Sequence, residues 1–567
     1  MKSNISNHDR SRAALTLGCL LLLGSIAHAG TVGDPQHPDL LAASLADAYS
    51  HGDRDITIAP GTYDLPSAGK DTIAFDRWTD TKVHARRVTL IFQDLTWAHR
   101  PVHFNRCKNV AFDGAILRLA VPAATQGRVV ALDSDATGKF CDYQVDTGYK
   151  SDIDPVKCTF DVVDQHSRVL KPGTGDFSPQ SAEPLGPGRF RLRFRGDLPA
   201  FAVGDWLITR AGGGSVLCHV DESENVTLKD LTLENGGFAT LFETGGGGNH
   251  YIHCRVTFGP KPAGATENEI VSCGADGFHS TGTSRGPDID GCRFEGVFHD
   301  DCIAIHGSFH DVVSSQDNKV VLKNGVNDFA PGHPVRISSG KGFFAQANCT
   351  AVEDLGGPDH HVQLTLDAPL AVPAGSKANN PDRCGRGYRI VNCYLGNTRS
   401  RGILVKADDG LIDHCVIDGC GMSGVSIGPE YWWGEANYCW NVTVSDNTFK
   451  NCDKNNDWQA AVLVHGDGAI GNRNIVIKGN RFDGDYGQYV MNIQWTDGVH
   501  ITGNTITGSH QLPLKNPGHV IELVHAHNVK LSGNIVSKPG PSLGSLVETG
   551  DDTIGVVNND DAGIRRK

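Results

Sequence analysis

The sequence predicts an all-β solenoid, short strands wound into stacked coils, with two separate antiparallel β inserts. One observation is a recurring phrase: "DIDGCRFEG", "YRIVNCYLGN", "GLIDHCVIDG", "NVTVSDNTFKN", "NIVIKGNRFDG", "GVHITGNTITG" and "NVKLSGNIVSK". Each is an apolar alternation that meets Asn, Gly, Cys or His at a bend and then starts a second short strand. The spacing is another: Cys393, Cys415, Asn447, Asn480, Asn504 and Asn534 follow one another at 22, 32, 33, 24 and 30 residues. A period of that order with short strands marks a β-solenoid. Composition agrees, since 68 glycines and only 7% aromatic residues mean many turns and few large core clusters.

A single unit cannot bury its apolar face. Coils stacked about 4.8 Å apart pair their backbones and align equivalent side chains into ladders. Asn447, Asn480, Asn504 and Asn534 form one such ladder, and Cys254, Cys292, Cys393 and Cys415 hold the matching place in earlier coils as small buried thiols.

Taken in order, residues 1–29 read as a cleaved leader: Lys2, Arg10 and Arg12 precede an apolar run from Ala13 to Ile26, and "AHA" offers small residues around a cut after Ala29. The expected location is the periplasm or the cell exterior. A lipoprotein anchor at Cys19 is the less favoured alternative. No later stretch reaches the roughly 20 apolar residues of a membrane span.

Residues 30–119 begin the solenoid. "DLLAASLADAYSHG" (39–52) has Asp39 as N-cap, Leu40, Leu41, Leu45, Ala48 and Tyr49 on one face and Gly52 as a stop, a short helix that caps the first coil. Residues 120–216 and 311–387 break the rhythm, and the parallel between "FAVGDWLITR" (201–210) and "FAPGHPVRIS" (329–338) makes them related barrel-like inserts. Cys141 with Cys158, and Cys349 with Cys384, are the pairs that could staple them. Residues 217–310 and 388–567 are further solenoid. A formal charge of −14 argues against a nucleic-acid partner.

Chemistry is expected where the ladder is broken. "CGADGFHSTG" (273–282) and "FHDDCIAIHG" (298–307) place Asp276 24 residues before Asp300 and 25 before Asp301, about one coil. Aspartates are good turn residues, and for any one of them that is the better reading. Three together, flanked by His279, His299 and His306, reverse it. Crowded carboxylates repel, and one answer is for one of them to hold a proton near neutral pH. A protonated acid beside an ionised base is what glycoside hydrolysis uses, with 6.5–9.5 Å between them in an inverting enzyme. Asp408 and Asp409 in "KADDG" read as a turn. Lys406 and Arg401 in "RSRGILVKA" either point at a sugar or neutralise a carboxylate. In "GPEYWWGEANY" (428–438), Trp432 and Trp433 suit the apolar face of a sugar ring, and Glu430 and Glu435 could bind hydroxyls. No zinc-like spacing occurs, so neither metal nor cofactor is expected.

"ADGFH", "DDCIAIHG" one coil later and "RGILVK" resemble the right-handed parallel β-helix glycoside hydrolases that invert configuration, the family 28 polygalacturonases among them. The two inserts, the second starting just after the aspartate pair, and the "GPEYWWGEANY" loop look most like glycoside hydrolase family 110. That resemblance implies an exo-acting α-galactosidase that removes terminal α-1,3-linked galactose from oligosaccharides or glycoconjugates, with Asp276, Asp300 and Asp301 as the catalytic set: one the acid, for which Asp300 is favoured, the others holding or activating water. Family 28 also carries a Gly-His-Gly element and a compact Arg-Ile-Lys. Here the insert interrupts the first and the second is stretched, which counts against a galacturonan substrate. An endo-acting polygalacturonase-like hydrolase and a non-catalytic carbohydrate-binding solenoid are the alternatives. Projecting inserts leave room for a dimer.

Overall fold

A computed structural model describes residues 29–558 and 564–566, apart from 68, 94–95, 97–98, 123, 196–199, 211–214, 326, 456–457 and 511–516. The leader read from the sequence lies outside these, except that its expected cut falls at the first residue of the strand Ala29–Val32.

The chain is an almost all-β right-handed parallel β-helix carrying two antiparallel inserts. Most coils contribute three short strands, for example Asp276–Thr281, Asp288–Asp290 and Arg293–Glu295, and each pairs in parallel with its equivalent in the next coil. Because coil-to-coil register is constant, equivalent side chains stack. Ile303, Ile403, Val425, Val462, Met491 and Ile521 form one core column, all of them wholly buried.

The turn ladder follows from local chemistry. Its side chains hydrogen-bond from coil to coil: the Asn447 side chain accepts from the Cys415 N–H at 2.8 Å, and Asn480, Asn504 and Asn534 each accept from the backbone and side-chain amides of the asparagine before. In the earlier coils Cys292 Sγ accepts from the Cys254 N–H at 3.3 Å. Before each ladder residue stands one in the left-handed region: His253, Gly291, Asn392, His414, Asp446, Gly479, Gly503 and Gly533. Glycine enters that region without penalty, and Asn, Asp and His are the residues that best tolerate it. That requirement is why the repeated phrase places Gly, Asp, Asn or His directly before Cys or Asn.

Asp39 is not the helix cap. It lies in a 3₁₀ turn, Pro38–Leu40, which leads straight into the helix Leu41–Ser50, so Leu40 takes the N-cap position with no side-chain hydrogen bond and is 53% exposed. Leu41, Leu45 and Ala48 are buried, and Tyr49 stacks on Trp78 at 4.2 Å between ring centroids.

The first insert is a six-stranded antiparallel sheet from Ala124–Asp135 to Trp206–Arg210. It stays open. The free edge of Phe160–Val163 is met by Leu170 and Phe177 of an irregular segment rather than by a strand. The second insert, from His310–Gln316 to Lys377–Asn379, is a closed six-stranded barrel. "DWLITR" and "HPVRIS" each enter a strand, Trp206–Arg210 and Pro334–Ser338. The expected disulfides are absent: Cys141, Cys158, Cys349 and Cys384 are all free, and small apolar cores built around Phe160 and Val335 hold the inserts instead. Each insert is pinned to the helix by polar side chains. Lys454 donates to the Leu170 carbonyl at 3.3 Å, and Arg336 forms a buried bidentate pair with Asp408 at 3.0 and 2.7 Å.

Candidate active site

Parallel register stacks like residues whether or not they are compatible. Phe278 pairs with Ile303 and Ile303 with Ile403, so the positions two before them, Asp276, Asp301 and Arg401, fall in one column on three successive coils. Asp276 and Asp301 are 4% and 2% exposed. Asp300, one residue earlier, is part-buried. The three aspartates bring carboxylate oxygens within 4.8 Å of one another.

Fixed donors meet Asp301 and Asp276. The Asp301 carboxylate accepts from Ser400 Oγ at 2.6 Å and from the Arg401 N–H at 3.0 Å, and Arg401 Nε lies 3.6 Å away. Asp276 accepts the Asp301 N–H at 3.2 Å. Burial pushes Asp300 up to about 8, helped by the charges of Asp276 and Asp301 and opposed by Arg399 and Arg401. Burial also raises Asp301, with Arg401 working against it. Crowded carboxylates can be relieved by a cation or by a proton. The raised Asp300 is the protonic answer. A second convergence of three such groups within 4.8 Å, Asp413, His414 and Asp446, lies on an exposed turn.

A histidine pair backs Asp276. His306 Nδ1 lies 2.8 Å from the Gly307 carbonyl, which can only accept, so this nitrogen carries the hydrogen. His306 Nε2 therefore accepts from His279 Nε2 at 3.0 Å, and His279 Nδ1 faces Asp276 at 2.9 Å. One proton lies between His279 and Asp276. Burial would lower His279, but the Asp276 charge outweighs it and raises the imidazole, while burial drives His306 down to about 4.

The opposite wall is a buried charge network. Lys406, wholly buried, donates to Glu430 at 2.9 Å and Glu435 at 2.5 Å, and Arg401 reaches Glu430 at 3.3 Å. Burial raises both glutamates, but Lys406 overrides it, leaving Glu430 lowered and Glu435 at about 2. Of the two roles read for Lys406, neutralising carboxylates is what its contacts describe.

A cavity of about 490 Å³ lies over this surface, lined by His299, Asp300, Asp301, Arg399, Ser400, Arg401, Leu404, Met422, Glu430, Trp433 and Glu435. The structure thus brings Asp276, Asp300, Asp301, His279, His299, His306, Arg401, Lys406, Glu430, Glu435 and Trp433 into one region. Trp433 is 70% exposed at its rim. Trp432, 57% exposed, is not among the lining residues. The expected acid–base gap of 6.5–9.5 Å is not what the nearest oxygens of the trio offer, because adjacent coils set them closer. Sequence reasoning missed Ser400 and Arg399 although both stand in "RSRGILVKA", because their roles depend on register with Asp300 and Asp301, about 100 residues earlier.

A family described as right handed beta helix region matches residues 382–561. Alpha-1,3-galactosidase B of Bacteroides thetaiotaomicron is 23% identical over 387 residues, 62% of this chain and 60% of that protein. Alpha-1,3-galactosidase A of Bacteroides fragilis is 23% identical over 382 residues with the same coverage, so the chain spans 60% of the length of these two curated relatives. Among solved structures, a Yersinia enterocolitica family 28 exopolygalacturonase superposes with a TM-score of 0.46 at 10% identity, over 91% of this chain and 75% of that one.

Proposed function

We propose that this protein is a glycoside hydrolase that removes terminal α-1,3-linked galactose from oligosaccharides or glycoconjugates. The observation that carries the reading is the trio Asp276, Asp300 and Asp301, two of which, Asp300 and Asp301, line a sugar-sized cavity, with the Asp300 carboxyl group pushed up to about 8. Asp300 donates its proton to the glycosidic oxygen as the C1–O bond breaks. A water held by Asp276 and Asp301 attacks C1 and gives up its proton to the Asp276–His279 pair. Glu430, Glu435 and Arg401 meet the hydroxyls of the terminal sugar, and Trp433 stacks on its apolar face. The α-1,3-galactosyl substrate rests on the resemblance of the site motifs and on two distant relatives that bear that activity in their names. The leader motif at Lys2–Ala29 supports action outside the cytoplasm.

Attack from the face opposite the leaving group inverts the anomeric centre. The separation of 4.8 Å or less between carboxylate oxygens favours a second reading, a double displacement with retention, because such pairs sit about 5–5.5 Å apart. Hydrolysis of an α-1,3-digalactoside followed by proton NMR decides both points. β-Galactose as the first product supports the proposal, α-galactose selects retention, and no galactose release from α-1,3, α-1,4 or α-1,6 digalactosides refutes the activity. Fragmentation of a polygalacturonan without monosaccharide release would identify the endo-acting alternative.

A further inference from the structure

A second cavity, about 360 Å³, opens beside the first and belongs mostly to the first insert: Lys157, Cys158, Thr159, Asp161, Asp176 and Thr209 face it. His299 and Arg399 line both cavities, so the two meet at these residues. Arg399 donates to the His299 carbonyl at 3.1 Å, reaches Asp176 at 3.6 Å and lies 4.0 Å from Asp161. Asp161 is 1% exposed, 3.5 Å from His299, and its Oδ1 accepts no hydrogen bond from the protein. Burying a carboxylate beneath a cavity is costly unless something there uses it. Of its cations, Arg399 faces its carboxylates, Asp161 and Asp176, while Lys157 pairs with Asp154 at 3.0 Å, which leaves no surplus of positive charge in it.

We infer that this cavity is the binding site for the sugar on the leaving side of the scissile bond, and that it takes a neutral hexose rather than a uronate. The inference rests on the proposed hydrolase reading and extends it. The acid must stand at the glycosidic oxygen, so the leaving sugar departs on the side of Asp300, where His299 and Arg399 open into the second cavity. The terminal sugar keeps the opposite side, where Glu430, Glu435 and Arg401 are fixed. Charge balance removes the electrostatic reason to prefer a carboxylated sugar, and paired charged side chains suit vicinal hydroxyls. Linkage selection is then set largely by the first insert, together with His299 and Arg399 of the helix.

Cys158 makes the inference testable without assuming catalysis, because it lines the cavity and is the one part-exposed thiol among the described residues. Its alkylation by iodoacetamide is followed by peptide mass spectrometry with α-1,3-galactobiose, galactose or galacturonate present. Protection by galactobiose, and not by galacturonate, is expected; no protection by any neutral sugar overturns the site even in a protein that hydrolyses nothing. For the active enzyme, Lys157→Ala with Asp176→Ala lowers kcat/KM on α-1,3-galactobiose about tenfold more than on p-nitrophenyl α-galactoside, since the nitrophenyl group has no hydroxyls to lose. Equal losses on both substrates overturn the inference. Absence of activity on both in the unmodified enzyme refutes the hydrolase reading and leaves the alkylation result to decide the cavity.

Discussion

The turn ladder from Cys254 to Asn534 and the column of Asp276, Asp301 and Arg401 are made by one operation, the stacking of equivalent positions by parallel register, and their energetics are opposite. In the ladder each amide completes the hydrogen bonds of its neighbour. In the column two carboxylates are pressed together under a cation, with a third beside them. A solenoid therefore needs no special architecture to concentrate strain. It needs only the wrong residue type at a stacking position, held there by the coils on either side.

The contrast can be broken at either end. The largest effect is expected from Asp300→Asn, which removes the acid: kcat/KM on an α-1,3-digalactoside falls about 10³-fold, roughly 4 kcal/mol of transition-state stabilisation. Fold stability moves the other way. A carboxyl raised to about 8 contributes stability that is full below its unfolded value and is lost as pH rises towards 8. Asn loses nothing over that window. Thermal melts at pH 5, 7 and 9 should show the variant gaining on the parent as pH rises.

Lys406→Met comes next. It leaves the part-buried Glu435 without its cation and the buried Glu430 with Arg401 alone, and should cost about 3–5 kcal/mol in urea denaturation, part of it restored by adding Glu435→Gln. In the ladder, Asn480→Ala orphans the Asn447 amides above it and should cost about 2–3 kcal/mol with no pH dependence between 5 and 9. Cys393→Ala is the smallest change, about 1 kcal/mol, because a thiol there fills space more than it bonds. If the two ladder variants proved as pH-sensitive as the column, the contrast would fail.

How legible this was from sequence follows the same division. The solenoid and its ladder could be read because each turn repeats a local demand, a left-handed residue and then Cys or Asn. The aspartate trio could be read because Asp276 and Asp301 lie one coil apart in the chain. Contacts created by an insert could not. Asp408 looks like turn chemistry in "KADDG", and only the fold shows it beneath Arg336, 72 residues earlier in the barrel of the second insert. Asp161 gives no sign that it will lie under a cavity shared with His299. Asp39 misled for a simpler reason, since a proline before it starts a 3₁₀ turn and moves the helix start along.

The claim that burial and crowding together load Asp300 with a proton is tested most directly by infrared difference spectroscopy of the parent protein against Asp300→Asn across pH 5 to 10. The account predicts a protonated-carboxyl band present in the parent at pH 6.5, missing from the variant and titrating away near pH 8. A difference spectrum with no such band above pH 5 would contradict it.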